Sequence, residues 1–159
     1  MIGYRSVLSS GGTEIGSGVI VEGDHIGFSN TIFTNVSNVI ISKDIKSCYY
    51  MFNNVSGLNH VIIHANVTNC SHMFRSLKGT TNIYINIDPS QTTHNFRNML
   101  YNKSNSYRTR IFCNNLSYLN KTTTSTSIVG ATITWTTVTH GYYNSTYNIY
   151  LYNNYDGRT

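Results

Sequence analysis

Pairs of residues capable of chemistry recur in this chain at 22 residues or a multiple of it. His72 and His94 are 22 apart, with Tyr50 one interval earlier. A stacked imidazole pair is half of a metal site, but the spacing supplies no third ligand. The expectation is therefore a surface ladder of Tyr50, His72 and His94. Asp44 and Asp88 are 44 apart, with Asn66 between them. Paired-carboxylate hydrolysis needs a cleft and two groups held apart in pKa. Carboxylates two strand spacings apart, about 10 Å, would simply be solvated. Cys48 and Cys70 are 22 apart, and the third cysteine, Cys113, lies well beyond them. No Cys-x-x-Cys pair signals zinc. On adjacent strands the first two would sit roughly 5 Å apart, where a disulfide is conceivable. Buried free thiols, acting as small hydrophobes, are the preferred reading. Gly11-Gly12-Thr13 has no following Lys and opens no helix, so it is not a phosphate loop. The sequence thus yields no catalytic residue, no cofactor and no metal.

The element that would position these side chains is the repeat. Segments beginning at Asn38, His60 and Asn82 are each offset by 22 residues. The spacing aligns Val39, Val61 and Ile83; Ile41, Ile63 and Ile85; Cys48, Cys70 and Thr92; and Phe52, Phe74 and Phe96. A fixed period in this range is the mark of stacked repeats, each too small to bury its own apolar face. Alternation along the strand puts positions 39 and 41 inward. Ile40, Ile62 and Tyr84 then form an outward column. Val55, Leu77 and Met99 each follow a Phe by three, as one short helical or 3-10 turn would require.

The expected architecture is mostly β: a short leucine-rich-repeat-like solenoid of about 22-residue repeats with a C-terminal β-hairpin. Residues 1–14 read as a Gly-rich N-terminal arm. The solenoid spans 15–119, with regular repeats at 38–59, 60–81 and 82–100. Residues 15–35 form an atypical first repeat, in which Val19-Ile20-Val21 is the strand and Phe33 the ring. After Tyr101 the period breaks at a polar insertion of about five residues, and Arg110–Leu116 reads as a last strand. Residues 120–127 form a polar linker. In the segment 128–159, alternation at Val129, Ala131, Ile133 and Trp135 and at Tyr147, Ile149 and Leu151 predicts two strands. The intervening HGYYNST serves as the turn.

Composition narrows the function classes. Of 159 residues only 11% are charged, while the net charge is +5 and thirteen residues are Tyr. The basic residues are dispersed rather than clustered, which argues against nucleic acid. No apolar run approaches the roughly 20 residues of a membrane span. The opening residues carry no apolar leader, so the expectation is a protein kept in the cytoplasm or assembled there into something larger.

The run VTNCSHMF followed by SLKGTTNIYI resembles the BspA-type leucine-rich-repeat proteins. That family repeats a block close to V-T-N-M-S-x-M-F before a Leu-rich strand. Val67, Thr68, Asn69, Ser71, Met73 and Phe74 match it in register. The preceding repeat keeps little beyond Met51 and Phe52, and the following one little beyond Phe96. Cys70 stands where the family has Met. The resemblance implies a non-enzymatic protein. Such repeats occur in bacterial and protist surface adhesins and in bacteriophage structural proteins, and this chain is closer to the latter. The implied role is a virion component (tail, baseplate or capsid decoration) that contacts other virion proteins and forms a homo-oligomer. The alternative is an adhesin-like module, extracellular or on a bacterial surface, that binds a host-surface protein or glycan. The surface expected to make contact comprises Ile40, Ile62, Tyr84, Tyr50, His72, His94, Tyr150 and Tyr152.

Overall fold

The computed structural model describes residues 5–7, 12–15, 28–34, 38–41, 45, 47–63, 69–87, 94–119 and 127–153. The protein is mostly β. Its strands are β1 (Arg5–Val7), β2 (Gly12–Ile15), β3 (Asn38–Ile41), β4 (His60–Ile63), β5 (Thr81–Ile85), β6 (Thr109–Cys113), β7 (Thr136–Val138), β8 (Gly141–Asn144) and β9 (Ile149–Tyr152). A 3-10 turn at Leu116–Leu119 follows β6. Among the described residues no helix is long and apolar enough to cross a membrane.

The strands form one mixed sheet in the order β1-β2-β3-β4-β5-β6-β9-β8-β7. Its centre is a parallel ladder from β2 through β6 to β9. Each parallel step needs a long return connection, and among the described residues the returns from β3, β4 and β5 hold turns rather than helices. Asn38 pairs with His60 and His60 with Asn82, which is the 22-residue spacing read from the sequence. Inward residues line up accordingly: Val39, Val61, Ile83, Ile111 and Leu151 make one column, and Ile41, Ile63, Ile85 and Cys113 another. All nine are buried, each aliphatic contributing roughly 1.5–3 kcal/mol by leaving water.

On the return side, turns at 28–31, 48–54, 70–76, 96–102 and 127–130 hydrogen-bond one to the next. The Phe52 amide donates to Met73 O at 2.8 Å, the Phe74 amide to Met99 O at 2.8 Å, and the Leu100 amide to Ile128 O at 2.7 Å. Met51, Phe52, Met73, Phe74, Met99 and Leu100 join the strand residues in a single core. These turns require left-handed backbone at two places. Tyr50, His72 and Asn98 fill one; Asn30, Asn54, Ser76 and Asn102 fill the other. Asn is common there because its short amide tolerates positive φ and bonds locally. The Asn54 amide donates to Asn30 Oδ1 at 2.8 Å and the Asn102 amide to Ser76 Oγ at 3.1 Å, tying rung to rung.

Several sequence expectations are corrected. The third turn does not keep the 22-residue offset. The Cys48 amide bonds to Asn69 O, but the Cys70 amide bonds to Asn95 O, so the step lengthens to 26. Phe96 therefore stands in the Cys48–Cys70 column, and Leu100 takes the place of Phe52 and Phe74. Thr92, expected beside the cysteines, lies outside the described residues. The extra length falls between β5 and its turn, where a phenylalanine four residues early made the wrong alignment look right. Met99 matches Met51 and Met73, and Lys103 stands where Leu77 does one rung earlier.

At the N-terminus, β2 rather than residues 19–21 pairs with β3, with Gly12 opposite Asn38. Part of the expected arm is thus strand, and residues 19–21 lie outside the described ones. Phe28, not Phe33, stacks on Phe52, at 5.9 Å and 13°; Phe33 meets both rings at a steep angle. At the C-terminus the expected two-stranded hairpin is a three-stranded antiparallel meander, β7-β8-β9. HGYYNST is not a turn, because Gly141–Asn144 is its middle strand. Residues 128–135 contribute no strand; their alternating apolar side chains pack on the core from an irregular segment. Of the polar linker, 120–126 lie outside the described residues.

Candidate functional site

The outward column expected at Ile40, Ile62 and Tyr84 is in register. It continues through Phe112 and Tyr152, which the broken period hid. Strand spacing of about 4.8 Å stacks such rings face to face. Tyr84 lies 4.7 Å from Phe112 at 12°, and Phe112 lies 5.1 Å from Tyr152 at 25°. Tyr84 is only 5% exposed, so the centre of the column is covered, contrary to its expected role as an open contact residue. Its hydroxyl is 3.4 Å from His60 Nδ1. Ile40, Ile62, Phe112 and Tyr152 are half-buried. Beside them Tyr150 stacks on Tyr143 at 4.3 Å, and the Arg108 guanidinium lies 5.4 Å from the Tyr150 ring.

The return side carries a second group. Tyr50 and His72 stack at 4.8 Å and 4°, as their spacing predicts. Both sit in left-handed backbone. The ladder stops there. Asn98 takes the third place, while His94 stacks on Phe96 at 5.8 Å, because the longer third rung moves it off the line. Tyr49 meets Tyr50 and His72 edge-on. Tyr101 lies 6.3 Å from His72. Arg75 lies 6.0 Å from the Tyr101 ring, and its Nη1 donates to Asn53 Oδ1 at 3.2 Å. Arg75 and Asn53 drew no notice in the sequence, and Tyr101 served only to mark where the period breaks. The one available signal was Arg75 directly after the Met-Phe block, on a turn already assigned to the surface.

Electrostatics follow from this packing. His72 is held below its usual pKa, first by burial and then by the charges of Arg75 and Arg97. Tyr49 is pushed up, first by burial, then by the charge of Tyr50 and a hydrogen bond with it. The three cysteines are free and buried. Burial pushes Cys48 well up, Cys70 to about 12, and Cys113 to about 11 despite a hydrogen bond with Asn115. Thiols in that state are packing groups rather than nucleophiles. Lys103 is 6% exposed, and its ammonium donates to Ser104 O at 2.9 Å, Tyr107 O at 3.0 Å and Tyr147 O at 2.6 Å. Desolvation lowers its pKa to about 8.

Among the described residues no three His, Cys, Asp or Glu side chains gather as a metal site. Asp44 and Asp88 lie outside those residues. A groove of about 550 Å³ beside β7 and β8 is lined by Thr137, Val138, His140, Gly141, Tyr142 and Asn153. No family model, curated protein or solved structure matches the chain.

Proposed function

We propose that the protein is a non-enzymatic structural and contact protein. It is a short leucine-rich-repeat-like solenoid closed at its C-terminus by a β-meander and held in a homo-oligomeric assembly as a virion component. The observation that carries this reading is the outward column from Ile40 to Tyr152, with Tyr143 and Tyr150 beside it. Ile40 and Ile62 on one side of the covered Tyr84, and Phe112 and Tyr152 on the other, are half-exposed and offer the apolar and aromatic surface that protein contacts use. Stacked rings are also fixed in place, so association orders few side chains. Ile32, 75% exposed at the N-terminal end, adds a further apolar contact. The interior columns are filled with aliphatic, aromatic and thiol side chains, which leaves the surfaces to carry the function.

Light scattering at micromolar concentration tests the reading. The wild type should exceed the monomer mass, and Phe112→Asp or Tyr152→Asp should return it to the monomer without lowering the melting temperature much. A monomeric wild type that also binds none of the virion proteins encoded beside it would overturn the reading.

A further inference from the structure

The return side of the stack carries a group that the outward strand column does not use. We propose that Tyr101, Arg75 and the Tyr50–His72 ring pair form a binding site for a terminal acidic sugar, a pyranose bearing a carboxylate. This goes beyond the assembly reading, uses different residues, and stands or falls separately from it.

Three observations carry it. First, the rings make a platform. His72 lies flat on Tyr50 and edge-on to Tyr101, which is 44% exposed. The apolar face of a pyranose stacks on such a ring. Second, a planar cation is held beside the platform. The Arg75 guanidinium lies 6.0 Å from the Tyr101 ring and is anchored by Asn53 at 3.2 Å. One Nη is fixed in that bond, and the other edge of the fork remains to meet a carboxylate with two parallel hydrogen bonds. Arg97 adds a second positive charge that His72 feels. Third, the rings are retained against backbone preference. Tyr50 and His72 both hold positive φ, a place where Asn98 stands one rung later. Non-glycine residues are uncommon in that region, and both rings lie partly in solvent.

The size of the site favours a short sugar over a nucleic acid strand. Single-stranded nucleic acid needs successive open rings and a cationic track. Here one well-exposed ring has a single guanidinium beside it. Asn102, exposed on the same turn as Tyr101, is placed for sugar hydroxyls. The site should also respond to pH. At neutral pH His72 is uncharged, and an anionic ligand raises its pKa. Binding should therefore tighten as pH falls from 7 to 5.5.

The test is saturation-transfer NMR and calorimetry with sialyllactose and methyl galacturonate against lactose and methyl galactoside. The acidic sugars should bind at millimolar or tighter affinity, weaken with added salt and tighten on acidification, while the neutral ones should not bind. Arg75→Gln and Tyr101→Ala should each weaken binding at least tenfold. Arg75→Lys, which keeps the charge but loses the fork, should do nearly as much, and Arg108→Gln on the outward face should leave it unchanged. Circular dichroism and melting of every variant confirm the fold. Equal binding of the neutral sugars, no binding at all, or full binding by Arg75→Gln would each overturn the proposal. So would an oligo-dT that binds more tightly than sialyllactose and survives Tyr101→Ala.

Discussion

Replacing Lys103 by Met probes the join between the last regular turn and the C-terminal meander. Lys103 stands in the column of Val55 and Leu77, two buried apolar residues, so Met fits the space. What is lost is an ammonium donating to three carbonyls, of which Tyr147 O alone belongs to the meander. A hydrogen bond from a charged donor is worth about 1.5–3 kcal/mol net. Against this stands the desolvation that lowers the pKa from 10.5 to about 8. That penalises the charged form by about 2 kcal/mol once residual solvent around the ammonium is allowed for. Ser104 O and Tyr107 O lie in a surface turn and regain water in the variant, so the uncompensated loss centres on Tyr147 O. With the orphaned carbonyl and the lost bond set against the relieved desolvation, the variant should be less stable by about 0.5–4 kcal/mol at pH 7.

The pH dependence has a definite sign. Between pH 8 and 10.5 the unfolded chain holds the Lys103 proton and the folded chain does not. The penalty on the charged form is thus full below pH 8, is relieved as pH rises through the window and is gone above 10.5. The gap between wild type and Lys103→Met should widen across that window. Urea unfolding followed by Trp135 fluorescence at pH 7, 9 and 10 measures it, and the tyrosines, common to both proteins, cancel in the difference. Equal stability at pH 7, or a gap that narrows as pH rises, would refute the reasoning.

Three further outcomes are expected. Phe74→Ala, which removes the ring stacked 5.5 Å from Phe52 at the centre of the core, should cost about 3–5 kcal/mol by thermal melting. Gly141→Ala would drive a methyl group into Leu151 O across the β8–β9 ladder. Amide exchange in the meander should accelerate well before exchange in β3–β5 does. Cys48, Cys70 and Cys113 should resist a thiol reagent at pH 8 in the native protein and all react in urea, since burial raises all three.

The period was legible because the inward strand positions must stay apolar, and 39, 41, 61, 63, 83 and 85 obey that rule. The turn register was not. Phe96 matches Phe74 in type, and nothing in the composition of 86–95 marks four added residues. β2 escaped notice because Gly-Thr-Glu-Ile has no alternation; it pairs through its backbone. The middle strand of the meander escaped because Gly, Asn and His imitate turn chemistry. At the candidate site, spacing found the Tyr50–His72 stack. Arg75 and Tyr101 come from different rungs and meet only through the lengthened step, so no single interval in the sequence links them. Lys103 was invisible for the same reason, since the 22-residue alignment put Met99 under Leu77.

The ladder has one property that neither end shares. β1 and β8 run antiparallel to their neighbours, so each terminus closes the parallel ladder with strands of the opposite sense. Between them β4 meets β3 on one side and β5 on the other at the same 22-residue offset, and the repeat that carries it is a cassette. A tandem copy of that cassette would lengthen the stack by one strand spacing, about 4.8 Å, and leave both closing elements unchanged. Length is thus a quantity that gene duplication can set in uniform steps.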